Sequence, residues 1–457
     1  MERAIDICLY GATGFAGRLV ARHLFRRCRE EGLRLALAGR NEERLHALAL
    51  ELAAEGRGDP RTSADSGGSA GRAEAPVIRL ADSQDAERLD ALTRESRVLC
   101  STVGPYARHG TPLVRACVRN GSDYVDLTGE IQWIRESIDL FHENAQETGS
   151  RIVHAGGFDS LPSDIGVLLA QEILRRREGQ PGRRLYLQVD GMSGGFSRGT
   201  IDSMLTLVSQ AARRKAVRQV LRDPRSLEPG WRPDAAAPGS GAPARRAPWR
   251  LPGGLWTIPF FMEAVNGRVV RRSNALAGYP YGEDFDYHEV IPAGRGLRGF
   301  LTALFGRLAF GVAAGLIALP PTRALLAATV FPKPGSGPKA ALAGEGRFRV
   351  SIHRVTEGEG SQDSGAGNSG RERTERLVSI EAERDPGYGA TAIMLGEGAI
   401  LLARSSAAQQ AGPADSGRGG PQRGGPAGGV LTPAQAYGRE IVPLLEKAGI
   451  HIQEVET

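Results

Sequence analysis

Residues 8–24 read CLYGATGFAGRLVARHL and contain three glycines, Gly11, Gly14 and Gly17, at a spacing of three. They follow the apolar run AIDICLY (residues 4–10), which is typical of a buried strand. After the glycines, apolar side chains recur at helical spacing. A strand, a glycine-rich turn and a helix in this order predict a site where the phosphates of a dinucleotide rest on backbone amides.

The three glycines have separate roles in such a turn. Gly11 allows the tight turn, Gly14 lets the backbone approach the pyrophosphate, and Gly17 permits close packing of helix on strand. We also predict cofactor contacts from Thr13, a hydroxyl donor, and from Phe15. The alternative is a glycine turn that binds no ligand.

Strand and helix patterns alternate from the first residue to about residue 176, with about six strands in all. This alternation predicts an α/β Rossmann domain, a doubly wound parallel sheet, over residues 1–176. Its polar, low-complexity stretch 56–75 is expected to be a disordered surface insert.

A second α+β domain is expected over residues 177–430, for binding substrate or for dimerisation. The stretches RFRVSIHRV (347–355) and ERLVSIEAER (375–384) alternate like antiparallel strands. Residues 431–457 are expected to form a closing helix and strand that pack back on the core. Three Gly/Pro/Ser/Arg-rich stretches are expected to be loose: 233–247, 357–373 and 406–429.

The residue after the second strand selects the cofactor. An enzyme that uses NAD would place Asp or Glu there, but this chain has Arg40, whose guanidinium suits a 2′-phosphate. We therefore predict NADP(H); the alternative is an exposed arginine at the start of a helix. Asp82, after the third strand, is assigned either to the adenine or to a plain helix cap. Val103 and Gly104, after the fourth strand, are expected beside the ribose and nicotinamide.

Candidate catalytic residues follow the same sheet edge. Tyr106 could stack or donate a proton, or it could be a core tyrosine. Asp159 could position substrate or transfer a proton, or it could cap the following helix. Asp126 and Glu130 are further carboxylates near that edge. No histidine pair has metal-ligand spacing, so we predict no metal site.

The segment 299–331 is apolar except for Arg307 and Arg323. A spanning helix needs about 20 apolar residues, and one mid-span charge makes this segment marginal. Three interpretations stay open: a transmembrane helix, a buried helical hairpin broken at Pro320 and Pro321, and a surface that docks on a membrane or captures lipid.

The net charge of +6 would suit nucleic acid, but only four of the 58 basic residues are lysine and no block of five or six like charges exists. We interpret the arginine excess as compositional bias and expect no nucleic-acid partner. The four cysteines lack CxxC spacing, and because a strand pattern already begins at residue 4 we expect no signal peptide. A cytoplasmic protein is expected, and 299–331 offers a peripheral contact at the inner face of the plasma membrane.

Longer blocks resemble a known family. GATGFAGRLVARHL, LAGRN, STVGPYARHGTPLVRACVRNGSDYVDLTGE and HAGGFDSLPSDIG resemble the saccharopine dehydrogenase-like oxidoreductases. The later blocks look most like the trans-acting enoyl reductases that assist polyketide synthases in making complex lipids: SRGTIDSM (197–204), DPGYGATAIMLGEGAILLA (385–403) and GGVLTPAQAYG (428–438). The resemblance covers nearly the whole chain outside the inserts.

This resemblance implies NADPH chemistry, with hydride transfer to the β-carbon of an enoyl thioester on an acyl or lipid-like substrate carried by a polyketide synthase. It supplies no defined proton donor, so Tyr106 and Asp159 rest on the residues alone. Two other functions stay open: a C–N oxidoreductase like saccharopine dehydrogenase, and a lipid- or membrane-associated nucleotide-binding protein with little turnover. A homodimer is a further arrangement that the sequence permits.

Overall fold

Two seven-stranded sheets organise the computed structural model of this protein. The structure describes residues 3–57, 75–193, 198–233, 247–319, 321–322, 346–356, 372–410 and 428–455. The four stretches expected to be loose, 56–75, 233–247, 357–373 and 406–429, therefore lie largely outside the described residues, and so does the part of the apolar segment after residue 322.

The first sheet confirms the Rossmann prediction. All its neighbouring strands are parallel, in the order β13-β6-β5-β4-β1-β2-β3, where β13 is Gly429–Leu431. From β1 the chain adds β2 and β3 on one side and then β4, β5 and β6 on the other, so the order of the strands switches between β1 and β4. Its first twelve elements are β1 (Ile5–Tyr10), α1 (Phe15–Glu31), β2 (Leu35–Gly39), α2 (Glu42–Arg57), β3 (Val77–Leu80), α3 (Ala86–Glu95), β4 (Ser96–Ser101), α4 (Tyr106–Asn120), β5 (Asp123–Asp126), α5 (Ile131–Thr148), β6 (Arg151–Val153) and α6 (Leu161–Glu178).

The second sheet has the order β14-β12-β11-β7-β10-β9-β8 and is antiparallel except where β7 meets β10. The predicted antiparallel pair is β11 with β12, in which Val350 faces Ile380. The remaining elements are β7 (Arg184–Ser193), α7 (Arg198–Arg213), α8 (Lys215–Arg222), β8 (Arg250–Leu251), β9 (Leu255–Pro259), α9 (Glu263–Leu276), β10 (Asp286–Arg295), α10 (Gly296–Ala318), β11 (Arg347–Thr356), β12 (Arg373–Ala382), α11 (Thr391–Gln410), β13 (Gly429–Leu431), α12 (Pro433–Tyr437), α13 (Val442–Lys447) and β14 (His451–Glu454).

The two sheets share one hydrophobic core, to which the helices α6 and α11 contribute. Gly166 of α6 lets that helix lie close to the second sheet, because a Cβ there would be 2.9 Å from Ile352. Helix α11 packs on α1 and on strands of the first sheet. Glu397 of α11 is fully buried and accepts hydrogen bonds from Arg27 (2.7 Å) and His23 (2.8 Å) of α1. The chain thus returns to the first sheet well before residue 430.

The apolar helix α10 corrects one of the three interpretations of segment 299–331. It is not part of a buried hairpin, because most of its side chains are exposed. One stripe of the helix, which includes Gly299, Ala303 and Gly306, packs on the second sheet, where a Cβ at Gly306 would lie 2.3 Å from Ile258. The ring of Phe300 also packs on Trp256 of β9, with centroids 5.0 Å apart. Among the described helices it alone is long and apolar enough to cross a membrane, with a mean hydropathy of 1.8 over Gly296–Ile317.

Candidate functional site

The glycine turn connects β1 to α1 at the carboxyl edge of the first sheet. Gly11 adopts a φ of +89°, and a Cβ there would meet Val103 at 2.6 Å. A Cβ at Gly17 would lie 2.1 Å from the carbonyl oxygen of Gly11, whereas one at Gly14 would lie 3.3 Å from the same atom. Gly11 and Gly17 are therefore required by the turn itself. Gly14 is less crowded than Gly11 and Gly17, and its exposure leaves its backbone open to a ligand.

The start of α1 fits an anionic ligand. Its N-terminal cap is Gly14, no side chain caps it, and its first turn holds no acidic residue. The first amides and the positive end of the helix dipole thus face the turn without a side-chain partner. Thr13 is half-buried beside them, and the ring of Phe15 packs edge-on against Tyr388 at 4.7 Å. Free amides at a helix start without a competing acidic side chain are what the pyrophosphate of a dinucleotide requires.

The residues that follow β2, β3 and β4 form the rest of the predicted cofactor-binding edge. Arg40 is exposed directly after β2, and Asn41 rather than Arg40 caps α2, by accepting a hydrogen bond from the Arg44 amide at 2.8 Å. Asp82 follows β3 and accepts from the amide of Gln84 at 2.9 Å.

The cap of α3 is Asp85, which accepts from the Arg88 amide at 3.0 Å, so the plain-cap alternative for Asp82 is wrong. The adenine role of Asp82 stays a prediction. Val103 contacts the Gly11 turn, and Gly104 beside it is exposed, so both lie where β4 meets β1.

Removing the Arg40 side chain tests the choice of cofactor. We expect Arg40→Ala to weaken NADPH binding about 10- to 100-fold, since hydrogen bonds to a charged group contribute about 1.5–3 kcal/mol. NADH binding should change by less than about twofold, because NADH lacks the 2′-phosphate. Isothermal titration with each nucleotide measures both. The matched control is Arg44→Ala, an exposed arginine one turn along α2. A preference for NADPH that survives Arg40→Ala would contradict the assignment.

Tyr106 lies in the core, which is the second of the two possibilities that the sequence left open for this residue. It is 5% exposed, and its ring stacks on Trp133 with centroids 5.6 Å apart. Its hydroxyl donates to the carbonyl of Ser101 at 3.1 Å and accepts from the amide of Leu127 at 3.3 Å. Burial raises the pKa of Tyr106 well above its usual value. With its proton engaged by a backbone carbonyl, this hydroxyl is poorly placed to protonate a substrate.

Asp126 and Glu130 hold the loops of the edge. Asp126 is fully buried; its carboxylate accepts from the amides of Thr128 and Ala155 and contacts His154 Nδ1 at 2.8 Å. Glu130 accepts from the first amides of α4, those of Tyr106 (2.8 Å) and Ala107 (3.0 Å), and from the hydroxyl of Ser203. Both carboxylates are thus occupied by structural contacts.

Asp159 differs from these carboxylates. It follows β6 on the loop that leads into α6, is half-buried, and does not serve as the helix cap, since that position belongs to Ser160. The capping alternative for Asp159 is therefore wrong. Desolvation, and secondly the charge of Asp126, raise the pKa of Asp159 to about 7. A carboxyl that is partly protonated near neutral pH can act as a general acid.

A buried polar network lies directly behind Asp159, and the sequence patterns did not reveal it. Glu289 of β10 is fully buried and accepts from Ser163 (2.6 Å), Tyr287 (2.8 Å) and Asn266 (2.9 Å). Asn266 in turn accepts from Ser160, the residue after Asp159, at 2.9 Å. Desolvation raises the pKa of Glu289 to about 7. This network fixes the start of α6, and with it the Asp159 loop, to the second sheet.

No group of three or more His, Cys, Asp or Glu side chains that could hold a metal ion occurs among the residues that the structure describes. The four cysteines are buried and unpaired with one another. Burial raises the pKa of Cys8 to about 12, so its thiol is inert at neutral pH. Among the carboxyl groups of this edge, Asp159 is therefore the candidate for proton transfer.

Comparison with known proteins identifies the family. Residues 7–153 match the model of the saccharopine dehydrogenase NADP binding domain, which makes NADP(H) the cofactor. A Mycobacterium tuberculosis chain that is provisionally named a trans-acting enoyl reductase is 37% identical over 99% of this chain and 97% of its own length. The trans-acting enoyl reductase of Mycobacterium ulcerans is 33% identical over 98% and 97%.

Among solved structures, apo saccharopine dehydrogenase (L-Glu forming) from Saccharomyces cerevisiae aligns over 98% of this chain and 99% of its own, with 14% identity and a TM-score of 0.44. The full-length identity to the mycobacterial chains carries the assignment. This chain belongs to the saccharopine dehydrogenase-like oxidoreductases, in the group that includes the trans-acting enoyl reductases.

Proposed function

We propose that this protein uses NADPH to reduce the carbon–carbon double bond of an enoyl thioester on a lipid-like acyl chain. The observation that carries the proposal is the end-to-end identity to chains named trans-acting enoyl reductases. Because those names describe an activity supplied in trans, we further propose that the acyl chain arrives on a separate polyketide synthase.

The first domain supplies the cofactor half of the site. When bound, NADPH provides a hydride from nicotinamide C4 to the β-carbon of the enoyl group. The turn with Gly11, Gly14 and Gly17 would hold its pyrophosphate, and the exposed Arg40 would bind the 2′-phosphate. Val103 and Gly104, at the β4 edge beside β1, would border the nicotinamide.

Asp159 supplies the proton in this proposal. Addition of hydride at the β-carbon leaves negative charge at the α-carbon and the thioester oxygen, and one proton must then reach the α-carbon. Asp159 lies at the carboxyl end of the same parallel sheet as the glycine turn, which is where ligands of this fold bind. Its pKa of about 7 leaves the acid form populated at neutral pH, so it can donate that proton and regain one from water.

Substrate-dependent oxidation of NADPH, followed at 340 nm, tests the proposal. A long-chain 2-enoyl thioester, offered both as a free thioester and on an acyl carrier protein, should be consumed together with NADPH. Reactions of saccharopine with NADP⁺ and of its carbonyl and amine precursors with NADPH form the second arm. Turnover in that arm alone would assign the protein to C–N chemistry. Tight NADPH binding without turnover in either arm would assign it to binding alone.

A further inference from the structure

Helix α10 carries an apolar surface that the proposed reaction does not use. Six of its large apolar side chains are between 40 and 63% exposed: Leu301, Phe305, Leu308, Phe310, Val312 and Leu316. Gly296–Ala318 contains no acidic residue. Contiguous exposed apolar surface of this kind is rare on proteins that act only in water and marks a contact with another apolar phase.

The one charge within this surface is turned away from it. Arg307 points back into the second sheet, where it donates to the carbonyls of Pro248 (2.7 Å) and Thr257 (3.0 Å). Its guanidinium also lies over the ring of Trp249, 4.2 Å from the centroid. A charge in the middle of the segment would make its entry into a membrane unfavourable. Because the Arg307 guanidinium is bonded within the protein, it does not have to enter the lipid.

The pattern of exposed side chains indicates whether a lipid bilayer or a second copy of the chain covers this surface. Each described side chain from Leu308 to Leu316 is exposed, so this part of the helix is open on all its sides. A single facing protein surface covers one side of a helix, whereas hydrocarbon covers all of them. The stretch from Leu308 to Leu319 is about 17 Å long at 1.5 Å per residue, short of the roughly 30 Å hydrocarbon core.

Basic and aromatic side chains flank the apolar part where it leaves the protein. Arg295 and Arg298 are exposed at the start of α10, and Trp249 is 47% exposed beside Arg307. Tryptophan favours the membrane–water boundary, and arginine near a helix end favours anionic headgroups. The exposed face of the first half of α10 is also apolar, which fits a helix that enters at a slant.

We propose that α10 docks this protein on a bilayer that contains anionic lipids. The stretch from Leu308 to Leu319 enters one leaflet without crossing it, and Arg295 and Arg298 lie toward the headgroups. This contact is independent of the proposed reaction, since it uses no residue of the nucleotide site. A membrane contact would place the enzyme where long acyl chains partition.

Co-sedimentation of the full-length protein with vesicles tests the docking. Vesicles of phosphatidylcholine with phosphatidylglycerol should bind the wild type, and phosphatidylcholine alone should bind it about tenfold more weakly. The double variant Leu308→Glu with Phe310→Glu should lose about 100-fold or more in binding, because two large apolar side chains no longer enter the leaflet. The matched control is Leu50→Glu on α2, a leucine that is 65% exposed and outside α10.

NADPH binding, measured on every variant, reports that each one is folded. Wild-type protein that stays in solution, or binding that survives the double variant, would overturn the docking. So would a wild-type dimer that the double variant converts to a monomer without any vesicle binding, because the apolar surface would then belong to a second copy.

Discussion

Replacing Asp159 with asparagine should lower kcat for enoyl-thioester reduction about 100- to 10,000-fold, the usual contribution of a positioned general acid. Asparagine has nearly the same shape as aspartate and no carboxyl proton, so the Kd for NADPH should change little. Steady-state kinetics and nucleotide titration measure the two effects separately. The reaction also has a characteristic pH dependence, since the donor must be protonated before it acts.

The sign of that dependence follows from the pKa of about 7 for Asp159. The acid form dominates below that value, so kcat of the wild type should fall as the pH rises through 7. The kcat of the Asp159→Asn variant should not show this fall as the pH rises through 7.

Asp164→Asn is the matched control for Asp159→Asn. Burial also raises the pKa of Asp164 to about 7, but its two carboxyl oxygens accept hydrogen bonds from Ser273 and from the Ala434 amide. Retention of kcat in Asp159→Asn, or an equal loss in Asp164→Asn, would contradict the role of Asp159.

Replacing Gly17 with valine should abolish NADPH binding, and turnover with it. The new Cβ would lie 2.1 Å from the carbonyl oxygen of Gly11 and 3.0 Å from the backbone of Ala12. Backbone atoms cannot rotate away as a side chain can, so α1 must move off the turn that it shares with the cofactor. Overpacking of this kind also costs about 1–3 kcal/mol of stability.

The measurement pairs circular dichroism and thermal unfolding, which test the fold, with nucleotide titration. The matched control is Gly191→Val in β7, where a Cβ meets nothing within 4 Å. If Gly17→Val does not fold, the smaller Gly17→Ala carries the test. A folded Gly17 variant that binds NADPH within about threefold of wild type would show that this turn does not hold the cofactor.

The Rossmann half of the molecule was predictable because its signals are local. The glycine turn follows a buried strand, Asn41 caps α2, and Thr432 with Pro433 begins α12, each as its residue type predicts. The antiparallel strands of the second sheet were likewise visible from their alternation. Each of these features depends on residues within one turn or strand of each other.

The features that escaped prediction depend on distant contacts. Strand β13 has only three residues, and only its pairing with β6 makes it a strand. Helix α9 gives no amphipathic signal because Arg271 and Arg272 are buried and donate to backbone carbonyls, including those of Tyr287 and Val430. Arginines normally indicate a solvated face, so the pattern hides the helix.

The candidate catalytic residues show the same division. Sequence placed Tyr106 and Asp159 at the correct sheet edge, since that follows from the strand order. The sequence could not show which of the two is the better candidate proton donor, because the difference lies in their hydrogen-bond partners. Tyr106 donates to the carbonyl of Ser101, whereas Asp159 does not cap α6 as its position predicted. Glu289, from the second sheet, could not be connected to this edge before the fold was known.

Transfer of an isotope from cofactor to product tests the central claim most directly. The protein is incubated with NADPH carrying deuterium on the transferring face of nicotinamide C4 and with a long-chain 2-enoyl thioester, and the product is analysed by mass spectrometry and NMR. The account predicts a saturated thioester with one deuterium at the β-carbon and a solvent-derived hydrogen at the α-carbon. A saturated product without deuterium at the β-carbon, or no reduced thioester at all, would contradict it.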